Sequence, residues 1–269
     1  MPALSIITIS YNNHNGLFKT IPSVLNQTFT DYEYIIIDGG SNDGSTELIE
    51  KYAQQITYWV SEKDAGIFNA MNKGIAKAKG AYLLFLNAGD YLFDSAVLKN
   101  VFDTNPAEDI IYGNVVWDPV KYQGKYPAKL SFEFFINNAL PHQASFIKKE
   151  LFDRVGLYDE RYEMNSDWTF FLLAIYKFNS TYKHIDLFIT YCNTDGISLK
   201  EGSWEKIMIA RKEVMQQHFA AFMHDFELFC SVRNELSLVK RTKGYRIHIK
   251  LRSMLTNIFK IIKPNKQLL

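Results

Sequence analysis

Cysteine is scarce: Cys192 and Cys230 are the only two in 269 residues, too few for a disulfide framework or a cysteine-based metal cluster. Long hydrophobic runs are missing too. None approaches the roughly 18 residues that a bilayer span needs, and Thr169–Tyr176 is among the longest. The opening Met-Pro-Ala-Leu-Ser has no charged and apolar leader, so the expected compartment is cytoplasmic. Neither G-x-G-x-x-G nor G-x-x-x-x-G-K-[ST] occurs, so dinucleotide-binding and ATPase readings lack their motifs. Asp and Glu are absent from Lys240 to Leu269, where nine Lys and Arg fall. The formal charge of +1 thus hides a body of 21 basic and 29 acidic residues, −8, joined to a +9 tail.

What remains is ample for a core. A hydrophobic fraction of 47% with 22% charged residues excludes a disordered chain, a collagen-like repeat and a coiled-coil rod. The first ninety residues alternate between short apolar runs, the first rich in β-branched residues, and helical spacing. Leu4–Ile9, Tyr34–Asp38, Ile56–Val60 and Ala81–Leu86 read as buried strands. Between them, Gly16–Thr28, a segment through Leu48, Ile49 and Tyr52, and Ile67–Lys79 read as helices. Pro22 is expected in the first turns of its helix and Gly80 as a C-terminal stop. This alternation predicts an α/β fold with a mainly parallel central sheet flanked by helices. Further on, Asp109–Trp117 and His184–Tyr191 read as strands, Lys121–Pro127 as loop or edge, and Phe132–Asn138 and Ser166–Tyr176 as helices. From Trp204 the pattern is helical to the end.

Ligands of open parallel sheets bind outside the carboxyl ends of the strands. Four polar clusters fall there: Ser10–Asn13, Asp38–Ser41, Glu62–Gly66 and Asn87–Asp90. One such cluster is ordinary loop composition; four on one edge suit a nucleotide, whose base, ribose and phosphates all need polar partners. Asp90 adds a hard oxygen of the kind Mg2+ or Mn2+ takes beside phosphate. Asp167, near a helix start, is by itself explained by the helix dipole.

The stretches SIITISYNN, SVLNQTFTDYEYIIIDGGSNDGS, SEKDAGIFNAMNKGIAKAKGAYLLFLNAGD and LYDERYEMNSDWTF, in that order, resemble inverting family-2 glycosyltransferases of the GT-A fold. The likeness runs from Ala3 to about Ser198. The wording SEKDAGIFNAMNKGI, LNAGD and PHQASF is similar to bacterial enzymes of capsule, O-antigen and colanic-acid-type surface polysaccharides. The resemblance implies that Thr8, Ser10, Asn12, Asp38, Asp64, Asn72 and Asn87 bind a nucleotide-sugar donor, a UDP-sugar being expected. It makes Asp90 the metal carboxylate for Mg2+ or Mn2+ and Asp167 the catalytic base. The acceptor it implies is a saccharide or a lipid-linked one. His142, Gln143 and Trp168 are weaker candidates for acceptor or phosphate contact. His142 reads equally well as a satisfied loop histidine, while Trp168 could stack on a sugar.

Three departures stand out. Asp38-Gly39 replaces the family's Asp-Asp, Asn87-Ala-Gly-Asp90 thins its Asp-rich metal motif, and Ser166-Asp167 replaces its Glu-Asp. Two alternatives stay open: a sugar-1-phosphate nucleotidyltransferase, and a nucleotide-sugar-binding protein without catalysis. A catalytic domain is expected over 1–200 and a basic helical extension over 201–269. Within the latter, Ile247, Leu251, Met254, Ile258 and Ile261 are spaced 4, 3, 4, 3 beside a basic stripe, with Pro264 as a stop. Such a helix suits the anionic inner face of a membrane or packing on the domain. No nucleic-acid motif accompanies the charge.

Overall fold

The computed structural model describes residues 1–196, 200–245, 247–248 and 250–252. The chain divides into two compact units, Met1–Arg211 and Lys212–Leu269. The first half of unit one contains β1 (Leu4–Ser10), α1 (His14–Leu25), β2 (Tyr32–Asp38), α2 (Ser45–Lys51), β3 (Tyr58–Ser61), α3 (Ile67–Lys77) and β4 (Tyr82–Phe85). Next come β5 (Tyr91–Leu92), α4 (Val97–Phe102), β6 (Ile110–Asp118), β7 (Tyr122–Gly124) and α5 (Phe132–Asn137). The rest is β8 (Ser145–Lys148), α6 (Lys149–Val155), α7 (Ser166–Tyr176), β9 (Tyr182–Asn193) and α8 (Ser203–Arg241), inside which the unit boundary falls. Unit two continues α8 from Lys212, and the helix breaks its regular dihedrals at Phe219 (φ −132°, ψ 20°). Most of the tail expected to be amphipathic, including Met254, Ile258, Ile261 and Pro264, lies outside the described residues.

The strands form one sheet in the order β3-β2-β1-β4-β8-β6-β9-β5, with β7 beside β6. β1, β2, β3 and β4 are mutually parallel, as their alternation with helices predicts. β8 then runs antiparallel to both β4 and β6, while β6 and β9 are parallel, so the complete sheet is mixed. Every residue of β1 is buried, because helices cover both faces. Leu4 and Ile6 pack with Leu17, Ile21 and Val24 of α1. On the other face Ile7 meets α3 at Gly74, where an added Cβ would lie 2.4 Å from Ile7 Cγ2.

Two local expectations are corrected. Pro22 sits well inside α1, not in its first turns. There it removes the N–H that would bond to the carbonyl four residues back. Gly80 is not the stop of α3, which ends at Lys77 with Ala78 already extended. Gly80 is small because the backbone passes against β1: a Cβ there would lie 2.4 Å from Ser5 N and 2.6 Å from Leu4 C. Its N–H donates to Ser5 Oγ (2.8 Å) and to Glu33 Oε1 (3.0 Å), and Ser5 Oγ donates to the same oxygen at 2.6 Å. Lys79 N–H also donates to Glu33, so one buried carboxylate fastens the α3–β4 turn. The sequence reading passes over β5, α4, β8 and α6, all of seven residues or fewer.

Gly80→Ala is expected to destabilise the fold by about 2–3 kcal/mol, since the clash is with backbone rather than with a flexible side chain. Gly196→Ala, with no heavy atom within 4 Å of the added Cβ, is expected to change stability by less than about 0.5 kcal/mol. Urea unfolding of both variants checks this.

Candidate functional site

β1 has β2 on one side and β4 on the other, and the chain turns opposite ways from it to reach them. That switch opens a crevice at the carboxyl ends of β1 and β4. Ser10–Asn13 and Asn87–Asp90 line it. Asn13 caps α1 by accepting from Gly16 N–H (3.0 Å), and its Nδ2 donates to Ala88 O at 2.8 Å. One side chain thus joins the two strand ends. Thr20 Oγ1 completes the joint by donating to Asp90 O (2.7 Å) and accepting from Gly89 N–H (2.9 Å). Gly89 holds φ +106°, a conformation that favours glycine.

The antiparallel register of β4 with β8, Tyr82 to Lys148 and Leu83 to Ile147, carries the 3-10 turn His142–Ala144 alongside Asn87. Asn87 Nδ2 lies 3.2 Å from His142 Nε2. The other ring nitrogen, Nδ1, is 2.9 Å from Asp167 Oδ2 in the first turn of α7. Asp167 Oδ1 accepts the Trp168 N–H at 2.8 Å. The dipole explanation of Asp167 therefore describes one of its oxygens, and the other faces the crevice residues. Gln143, the next residue of that turn, stands near Asp90 and acts to lower its pKa.

Asp90 is 5% exposed and accepts Asn193 N–H at 2.8 Å. Burial pushes its pKa up to about 6, against the lowering effects of that bond, His142 and Gln143. A buried carboxylate whose charge the protein does not fully offset is a reasonable oxygen for a cation. Among the described residues no cluster of three or more His, Cys, Asp or Glu side chains could hold a metal ion. Asp90 is a lone carboxylate of the kind that Mg2+ or Mn2+ can take beside phosphate oxygens.

Several expected donor contacts are corrected. Thr8 is fully buried between β1 and β2, with Oγ1 3.0 Å from Tyr34 Oη, so it cannot touch a nucleotide. Asp38 is also fully buried and serves its own loop. It accepts from Ser41 N–H (2.8 Å), Ser41 Oγ (2.6 Å), Ser61 Oγ (2.7 Å) and Gly40 N–H (3.2 Å). Asn72 binds the backbone of Tyr158 at both its O and its N–H, and its Nδ2 reaches Glu160 at 2.8 Å. It anchors the loop before α7. Trp168 is 1% exposed, donates Nε1–H to Phe135 O at 2.6 Å, and carries the Arg211 guanidinium 4.7 Å above its ring. Buried in this way, it has no face for a sugar.

Other residues stay at the crevice. Ser10 Oγ is buried without a partner, and Asn12 holds the next loop by donating its N–H to Ser41 Oγ (2.7 Å) and accepting Asn42 N–H (2.9 Å). Asp64 explains the glycine at 39: a Cβ there would lie 2.6 Å from Asp64 Oδ2. A carboxylate from the next loop fills the place where the family's second Asp would stand. Sequence reasoning passed over Thr20, Tyr158 and Arg211, and gave Asn13 and Ser41 no role beyond their clusters. Burial raises the Tyr158 phenol well above its usual range, and Asp167 adds to the shift. Arg211, 7% exposed, is lowered to about 10 by burial, opposed by Asp167. None stands in a recognisable spacing, since each meets the site through tertiary contact.

Crevice, carboxylates and sheet define a GT-A-type α/β transferase fold. The family described as Glycosyl transferase family 2 matches residues 5–156. A PGL/p-HBAD biosynthesis glycosyltransferase of Mycobacterium bovis is 31% identical over 175 residues, 63% of this chain and 68% of that one. An uncharacterized glycosyltransferase of Mycobacterium tuberculosis is 32% identical over 182 residues, covering 64% and 69%. Among solved structures, S. aureus TarS 1-349 in complex with UDP-GlcNAc superposes with TM-score 0.64 at 17% identity over 79% of this chain and 66% of that one. The mannosyltransferase PcManGT from Pyrobaculum calidifontis, in complex with GDP-Man and Mn2+, gives 0.54 at 14% identity over 95% and 85%. The chain belongs to glycosyl transferase family 2. It is a glycosyltransferase, which sets aside the nucleotidyltransferase and binding-protein alternatives.

Asp90 sets a pH prediction. Its folded pKa of about 6 lies above the ordinary 3.8, so the native state holds this proton more tightly than the unfolded chain. The stabilisation is complete below pH 3.8 and is lost as pH rises through 6, a change of about 3 kcal/mol. Asp90→Asn in metal-free buffer is expected to be more stable than the parent at pH 7.5, with the difference vanishing near pH 4. Urea titrations across that range test it; a difference independent of pH would refute it.

Proposed function

We propose that the protein transfers a sugar with inversion from a UDP-sugar to a saccharide or lipid-linked acceptor during assembly of a bacterial surface polysaccharide. The observation that carries this reading is the pair Asp167–His142 beside Asp90 at one crevice. Ser10, Asn12, Asp64 and Asn87 would meet the donor, and Asp38 would act through the loop it holds. A divalent cation held by Asp90 would offset charge on the departing diphosphate. Asp167 would take the proton from the acceptor hydroxyl as that oxygen bonds to the anomeric carbon. The bond from that carbon to the diphosphate oxygen breaks in the same displacement. One displacement by the acceptor inverts the centre and needs no enzyme nucleophile. Gln143, near Asp90, would favour the charged form of that carboxylate. Residues 1–200 would supply this catalysis.

The extension over 201–269 would hold the enzyme at the inner face of the membrane. No helix among the described residues is long and apolar enough to cross one. Attachment would instead come from the nine basic residues after Val239, each contributing about 1 kcal/mol near an anionic surface. Ile247 and Leu251, 58% and 56% exposed, would supply apolar contact.

A panel of UDP-, GDP- and dTDP-sugars, screened by thermal shift with and without Mn2+, should single out a UDP-sugar. With that donor, Asp167→Asn is expected to lose at least about a hundredfold in turnover while still binding UDP. Unchanged turnover would remove Asp167 from the role. Deleting Lys240–Leu269 should abolish co-sedimentation with vesicles containing phosphatidylglycerol. Equal sedimentation of both forms would end the membrane reading.

A further inference from the structure

We propose that His142 is the positioning residue of Asp167, held as the Nδ1–H tautomer by Asn87. The inference rests on Asp167 being the base, and it reassigns His142 from substrate contact to control of that base. An ionised carboxylate can only accept, so at 2.9 Å from Asp167 Oδ2 the ring must donate from Nδ1. On the far side the Asn87 amide nitrogen faces Nε2 at 3.2 Å, and an amide nitrogen can only donate. Nε2 must therefore carry a lone pair. With the amide so turned, both neighbours call for the same tautomer, the one protonated at Nδ1.

Asn87 holds this arrangement at a cost, since its Oδ1 is buried without a hydrogen-bond partner. Turning the amide would set Oδ1 against Nε2 instead, an arrangement that calls for a second ring proton. The ring's backbone is set by the β4–β8 register and the carboxylate's by α7. His142 is thus the link that fixes the helix-borne carboxylate against the sheet edge bearing Asp90. The opposite oxygen of Asp167 is held by the Trp168 N–H, and that residue is itself locked by Phe135 O and Arg211. With both oxygens directed, the carboxylate keeps one orientation toward the crevice. The charged and titratable groups around the pair are Asp90, Tyr158 and Arg211. Misplacing a reacting group by about 1 Å can cost a hundredfold in rate, the scale on which such a clamp acts.

The first test needs no substrate. Long-range 1H–15N spectra of the full chain at pH 8, with the His142 signals identified by their loss in His142→Gln, should show Nδ1 protonated and Nε2 bare. A ring protonated at Nε2 would overturn the proposal. The second test uses the nucleotide sugar giving the largest thermal shift. His142→Ala is expected to lose roughly ten- to a hundredfold in kcat with donor KM within about twofold. His142→Asn, whose amide N–H can replace Nδ1–H, should recover most of that loss. Equal loss in both variants at unchanged melting temperature, or a loss carried by KM, would also overturn it. Failure of the base reading itself shows differently, as full turnover in Asp167→Asn.

Discussion

Everything at the crevice depends on the pairing of β1 with β2 on one side and β4 on the other. Parallel hydrogen bonding along Leu4–Ser10 brings the carboxyl ends of three strands to one edge. The loops that leave those ends have nowhere to go but across the same opening. Glu33, Ser5 and Gly80 secure the opposite end of the strands, where the chain enters β4. The turn there tolerates no Cβ because backbone runs against backbone. Tight packing at the closed end leaves the polar loops free to specialise at the open one.

Charge at the open end is handled in two ways. Asp38 is neutralised in effect by donors from its own loop and from Ser61, so it acts as a fastening. Asp90 and Asp167 receive fewer protein donors and face the crevice between them, with His142 and Gln143 from one turn reaching each. That division follows from the insertion of β8 antiparallel to β4. A parallel strand at the same place would deliver its other end, and neither side chain would reach the carboxylates.

Much of the first ninety residues was legible because short apolar strands alternate there with segments of helical spacing. The strand-end clusters were legible for the same reason: a strand read correctly tells where its carboxyl end lies. Asp90 was singled out by its place after β4 and Asp167 by the resemblance, and the two lie on either side of the turn that bears His142 and Gln143. Thr8, Asp38, Asn72 and Trp168, also offered as contacts, each hold a protein partner that the sequence did not announce. A polar or aromatic side chain near a strand end or a helix start turns to the core or to the crevice according to its packing partner. Tyr34, Ser61, Tyr158 and Phe135 are those partners, and they lie 23 to 86 residues away.

By itself the sequence determined the α/β alternation, the edge on which polar groups gather, the family resemblance and the separation of an acidic body from a basic tail. These depend on local period and composition, which are written along the chain. The tertiary structure alone decided that the sheet is mixed, that Gly39 makes room for Asp64, and that His142 stands between Asn87 and Asp167. Those outcomes depend on register and on contacts between distant segments. A four-residue strand such as β8 carries no period that announces its direction, yet its direction decides which side chains meet.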